Sequence, residues 1–145
     1  MEEVGKAVEY KLTEKLDLSK SSLQSGYFTI SSYEINNSFN YSYQYEVLGQ
    51  INTASLTVSN NKGSVLHLVI DADLPYSLDK YSFLKNFGSL KYKVGNDEKI
   101  MVFSDKTPGS YTKGLYLAVD KDLANADSIW IEFSIRNKKY RYVLK

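Results

Sequence analysis

Apolar and polar residues alternate with period two over most of the chain, which predicts half-buried strands rather than helices. The longest run is 39–48 (FNYSYQYEVL), where Phe39, Tyr41, Tyr43, Tyr45 and Val47 share one side and Asn40, Ser42, Gln44 and Glu46 the other. In 26–35 (GYFTISSYEI), Phe28 and Ile30 fall on one face, with Tyr27, Thr29, Ser31 and Tyr33 opposite. The polar trio Asn36, Asn37 and Ser38 punctuates the two runs. Nearer the N-terminus, Val8, Tyr10 and Leu12 alternate with Glu9 and Lys11, although Val4, Val8, Leu12 and Leu16 also recur every four residues. A strand over 7–12 is preferred, because Gly5 and Thr13 do nothing for a helix. The Ser-rich stretch 16–25 (LDLSKSSLQS) predicts a loop.

Three hairpins follow from matching apolar faces. In the first, 53–59 and 64–70 flank Asn60-Asn61-Lys62-Gly63. Placing Gly63 in the left-handed position sets Val58 opposite Leu66, Leu56 opposite Leu68 and Ala54 opposite Ile70. His67 then lies on the other face, between Val65 and Val69 and near Thr57. The second hairpin pairs 90–94 with 100–103 around Gly95-Asn96-Asp97, setting Val94 against Glu98, Tyr92 against Ile100 and Leu90 against Val102. The third closes the chain, with Ile135 opposite Tyr140, Phe133 opposite Tyr142 and Ile131 opposite Leu144, all pointing inward. Trp130, Glu132 and Arg141 point outward. Irregular aromatic spacing in 71–88 predicts a long connection with a short helix near 79–86, and Asp120–Asp127 fits a single helical turn. The total is one domain over 1–145, all-β, with eight to ten strands in a sandwich or barrel.

Composition narrows the chemistry. Eighteen Lys+Arg against seventeen Asp+Glu leave a net charge of +1, which argues against a nucleic-acid footprint over the whole domain. The chain has no Cys, so disulfides, thiolate zinc sites and cysteine nucleophiles are excluded. No stretch approaches the ~18 apolar residues of a spanning helix. Thirteen Tyr are the residue of half-buried strands, or of a rigid platform for sugars or peptides.

Candidate sites are few. The single His, His67, sits mid-strand with no Gly-flanked nucleophile elbow in the chain, so a serine triad has no support and no catalytic residue is assigned. Asp71 and Asp73, with Asp120, Asp122 and Asp127, lie at strand ends and would make a calcium site if the two stretches met; otherwise they are solvated loop charge and no cofactor is expected. Trp130, Glu132 and Arg141 form the candidate binding face, since Trp and Arg are enriched at binding hot spots; packing under another segment is the alternative. The basic residues Arg136, Lys138, Lys139, Arg141 and Lys145 gather near the C-terminus, interleaved with inward-facing Tyr140 and Tyr142. That arrangement suits anionic cell-wall polymers or lipid headgroups better than stacked nucleic acid.

The closing stretch GLYLAVDKDLANADSIWIEFSIRNKKYRYVLK, together with GYFTISSYEI, resembles the immunoglobulin-like β-sandwich domains of Gram-positive extracytoplasmic lipoproteins and membrane-anchored proteins. The resemblance implies a two-sheet antiparallel sandwich acting as a non-catalytic binding or structural module outside the membrane. Its partner would be a protein or a cell-wall polymer, and its attachment a segment outside this sequence; a cytoplasmic chain starting at Met1 is the alternative. The alternative function is a carbohydrate-binding module, with or without calcium.

Overall fold

The computed structural model describes residues 8–18, 26–75, 78–101, 109–111 and 114–145. Twelve strands are found among them: β1 (Val8–Lys11), β2 (Leu16–Asp17), β3 (Tyr27–Asn36), β4 (Ser38–Val47), β5 (Gln50–Ser59), β6 (Gly63–Asp73), β7 (Gly88–Val94), β8 (Asp97–Met101), β9 (Gly109–Tyr111), β10 (Gly114–Asp120), β11 (Ser128–Ile135) and β12 (Lys138–Val143). One helix, α1 (Lys80–Phe87), and a 3₁₀ turn, Lys121–Asn125, complete the described elements. The first sheet has the order β1-β12-β11-β7-β8 and the second β2-β3-β6-β10-β9, while β4 and β5 pair only with each other. The fold is all-β and sandwich-like, antiparallel except where β1 runs parallel to β12. No helix among the described residues is long and apolar enough to cross a membrane.

The two sheets bury one shared core, and alternation explains its contents. From the first sheet come Leu90, Tyr92, Ile129, Ile131, Phe133, Ile135, Tyr140 and Tyr142; from the second come Phe28, Ile30, Leu66, Leu68, Ile70, Leu115, Leu117 and Val119. Helix α1 forms where expected, because Asp79 accepts from the Ser82 backbone N–H at 2.7 Å and starts the first turn. It inserts Phe83 and Leu84 into the core, where the rings of Phe28, Phe83 and Phe133 lie 5.1–5.4 Å apart. Such side chains contribute roughly 1.5–3 kcal/mol each on burial.

One hydroxyl ties the sheets together across that core. Tyr142 Oη of β12 accepts from the Ile30 N–H of β3 at 2.9 Å and donates to the Glu14 carbonyl at 2.6 Å. The register of β3 against β6 shifts between Ile30 and Ser32, so a bulge occupies this point. It reverses the parity of the strand. Tyr33 and Ile35, not the even positions, pack against the core beyond it. The expected placement of Tyr33 on the outer face is thereby corrected.

Other expectations shift for identifiable reasons. The Ser-rich loop begins later than expected, because Leu16 and Leu18 are fully buried and Leu16 pairs with Phe28; 19–25 lie outside the described residues, as do 1–7. The expected hairpin between 53–59 and 64–70 does not form. Instead Val58 pairs with Phe39 and Ala54 with Tyr43, while Leu66 and Leu68 pair with β3 and β10. The turn is at Leu48-Gly49, both with positive φ (51° and 80°), as a two-residue hairpin loop of mirror-image type requires. In the β7–β8 hairpin the loop has two residues, not three, so Val94 pairs with Asp97 and Leu90 with Met101. That one-residue slip puts Ile100 opposite Lys91, where it is exposed; Val102 and Phe103 lie outside the described residues. The last hairpin turns at Arg136-Asn137 (φ 47° and 69°), two residues from the expected register, and an even shift leaves every face unchanged.

Replacing Tyr142 by Phe leaves the Ile30 N–H buried without its acceptor, which should cost about 1–3 kcal/mol. The urea midpoint of Tyr142→Phe should fall while the slope of the transition stays unchanged. An unchanged midpoint would show that the hydroxyl does not join the sheets.

Candidate functional site

The outward face of the first sheet holds Trp130, Glu132 and Arg141 together, as alternation demands. It does not offer the indole to a ligand. Trp130 is only 2% exposed, and the Arg141 guanidinium lies over its ring at 4.1 Å. Glu132 pairs with Lys91 of the neighbouring strand at 2.9 Å, and that hydrogen bond holds its carboxyl below the usual glutamate range. Of the two readings of this face, packing describes Trp130: its neighbours cover the ring and use the Glu132 carboxylate.

The acidic residues divide between two ends of the second sheet. Asp120 pairs with Gly63 at the start of β6, whereas Asp71 and Asp73 lie near its end. At ~3.3 Å per residue the two groups are some 26–33 Å apart. The calcium set therefore does not assemble, and no three His, Asp or Glu converge among the described residues. Four of the five acids have local work. Tyr92 Oη lies 2.7 Å from Asp122 Oδ1 and 3.1 Å from Asp120 Oδ2, and Asp122 also pairs with Lys99. Lys99 first, then Tyr92, holds the Asp122 carboxyl low. Asp127 accepts from the Gly95 N–H at 2.8 Å, and Asp71 from the Tyr27 hydroxyl at 3.3 Å.

His67 faces outward from the second sheet, as its parity predicts, but its neighbours differ. Its ring stacks on Tyr116 at 4.3 Å and 3°, and Phe39 meets both rings edge-on at 5.5 Å. Thr57 is elsewhere, donating to Asn40 at 3.0 Å within the β4–β5 pair. Burial pushes the imidazole below its ordinary value, with Glu34 in the next strand opposing the shift. Phe39 and Val58 rest here on Val65 and Tyr116, and this second, small apolar cluster seats the base of the β4–β5 ribbon.

That ribbon is the feature the sequence reading missed. Its strands are ten residues each, about 33 Å long, and none of the described side chains from Ser42 to Thr57 is buried. Toward the turn the exposed residues are apolar: Tyr45 is 44% exposed, Val47 50%, Leu48 100% and Ile51 73%. Leucine has no intrinsic reason to occupy a fully exposed, left-handed turn position, which Asn, Asp or Gly fills at lower cost. The available signal was the unbroken alternation of 39–47 running into a glycine.

Three comparisons with known proteins were negative: no family model, no curated protein and no solved structure matches the chain.

Because His67 is the only histidine, its seat has its own pH window. A folded-state value below the ordinary ~6.5 means that the unfolded chain binds the proton first. The stability this gives is therefore complete above about pH 6.5 and is lost as pH falls through the lowered folded value. The melting temperature should drop between about pH 7 and pH 5 in the native protein and stay nearly level in His67→Phe. Equal slopes in both would remove His67 from the account.

Proposed function

We propose that this protein is a non-catalytic binding module of a bacterial cell surface, and that the β4–β5 ribbon is its contact element. The observation that carries the reading is the apolar end of the ribbon, where Leu48 and Ile51 are the most exposed large hydrophobics among the described residues. Exposed apolar groups gathered at one tip mark an interaction site more often than a scattered surface does. The ribbon is also set apart from the core, so its contacts are free to change without disturbing the sandwich. The extracytoplasmic setting follows from the resemblance of the closing strands to surface sandwich domains.

A second reading, carbohydrate binding, uses the same element. Tyr45, 44% exposed three residues before the turn, is the ring that favours it. The two acidic stretches give a calcium-assisted version no support, since they stand at opposite ends of β6.

Co-sedimentation with isolated cell-envelope fragments tests the assignment. A variant in which a short Asn-Gly turn replaces 40–57 keeps Phe39 and Val58 at the base. The native protein should pellet with the fragments at low and high salt, and the shortened variant should stay in the supernatant with its melting transition intact. Equal pelleting of the two would overturn the assignment. Pelleting lost at high salt would move the contact to the basic residues near the last turn. Release by soluble wall glycan would favour the carbohydrate reading.

A further inference from the structure

We infer that the tip of the ribbon inserts into the interfacial layer of a lipid bilayer, with Val47, Leu48 and Ile51 in the acyl boundary and Tyr45 at headgroup level; this rests on the ribbon being the contact element. Four observations lead there.

Apolarity at the tip is two-sided. Val47 pairs with Gln50 and Ile51 with Glu46 across the ribbon, so Val47 and Ile51 project to opposite faces, with Leu48 between them at the apex. A groove on a partner protein would take one face and leave the other in water. A lipid layer surrounds both. Behind the tip the faces diverge in character: the one bearing Ser42, Ser55, Asn40 and Thr57 is polar, with Ser42 and Ser55 3.3 Å apart and Thr57 bonded to Asn40 at 3.0 Å.

The dimensions fit shallow insertion and exclude a span. Val47 and Ile51 lie within one or two residues of the turn, about 3–7 Å from the apex, and Tyr45 about 10 Å back. Interfacial elements bury their apolar side to ~5–10 Å, with Tyr enriched at the boundary. Deeper entry is opposed by the ribbon itself. Among the described residues β4 and β5 pair only with each other, and unpaired edge N–H and C=O groups are not tolerated in the hydrocarbon core.

Charge selects the surface. Residues 38–59 contain one charged side chain, Glu46, and no Lys or Arg. Nothing in the ribbon attracts anionic headgroups, so binding should be apolar in origin, indifferent to salt, and at least as good on zwitterionic as on anionic lipid. The basic residues of the last turn lie at the opposite end of β11 from the ribbon's base, since Gly63 pairs with Asp120 and Asp120 reaches Tyr92 near the start of β11. Lys93 beside Ser128 marks the ribbon end of β11, and Arg136 follows its far end.

The apolar tip alone is too small for a dimer interface. Its four side chains expose roughly 400–500 Å² between them, short of the ~800 Å² that each partner contributes to a stable interface.

Flotation with phosphatidylcholine vesicles tests the inference. The native protein should float with the vesicles at low and high salt. Leu48→Asn suits the left-handed turn at least as well as Leu, so it should keep or raise the melting temperature while weakening vesicle binding about tenfold or more. Leu48→Trp should bind and gain a blue-shifted emission on mixing. The inference fails if the native protein does not float, or if Leu48→Asn floats equally. It also fails if flotation requires phosphatidylglycerol and disappears in salt, which would point to the basic turn. A native dimer that Leu48→Asn dissociates would make a second copy the occupant instead. Ribbon-dependent pelleting with envelope fragments, without flotation on pure lipid, would overturn the lipid inference alone and leave the contact element standing.

Discussion

The corner at Asn60–Ser64 decides whether this chain has a ribbon at all. Without it, β3–β4 and β5–β6 would continue as one long hairpin in a single sheet. The Asn60 side-chain amide donates to the Ser64 carbonyl at 3.0 Å and to the Val119 carbonyl at 3.1 Å, and its oxygen accepts from the Lys62 N–H at 3.2 Å. One side chain thereby fixes the turn internally and anchors it to β10. Gly63 is required at the same point, because a Cβ there would collide with the Val119 carbonyl oxygen. The constraint is a matter of close backbone approach, not of φ. Past this corner the pairing of β3 with β6 stops and that of β4 with β5 begins.

Two kinds of stabilisation result. The sandwich rests on a large apolar core bridged by the Tyr142 hydroxyl, whereas an isolated two-stranded ribbon is marginal in water. What holds the ribbon is its cross-strand hydrogen bonding and the small seat made by Phe39, Val58, Val65 and Tyr116. The seat also contains the one histidine, stacked flat on Tyr116. The ribbon is thus attached firmly at its base, exposed along its length and apolar at its end. An element built in that way is suited to reaching something outside the fold.

How much of this was legible in the sequence depended on whether face or partner was at stake. Alternation identified the inward side of β11 and β12 correctly even though the register was off by two, because an even shift does not change faces. The same rule failed at β8, where a one-residue error moved Ile100 to the outside, and at β3, where the bulge after Ile30 inverted the pattern. The ribbon was hidden for a different reason. Residues 53–59 alternate in a way that suits either 39–47 or 64–70, and turn composition favoured Asn60–Gly63 over Leu48-Gly49. In the folded protein the strong turn signal serves as a corner and the weak one as the hairpin apex. Trp130 shows the limit for single residues. Parity placed it outward, but parity does not say that Arg141 lies over the ring or that the side chain is buried.

Hydrogen–deuterium exchange of the native protein, alone and bound to cell-envelope membranes, separates contact through the ribbon tip from contact through any other surface. Amides near the turn, over 45–52, should exchange rapidly in the free protein and slow on binding, while those of β6 and β11 stay unchanged. Protection confined to the Trp130 face or to the last turn, with 45–52 still exchanging freely, would rule out the ribbon as the contact element.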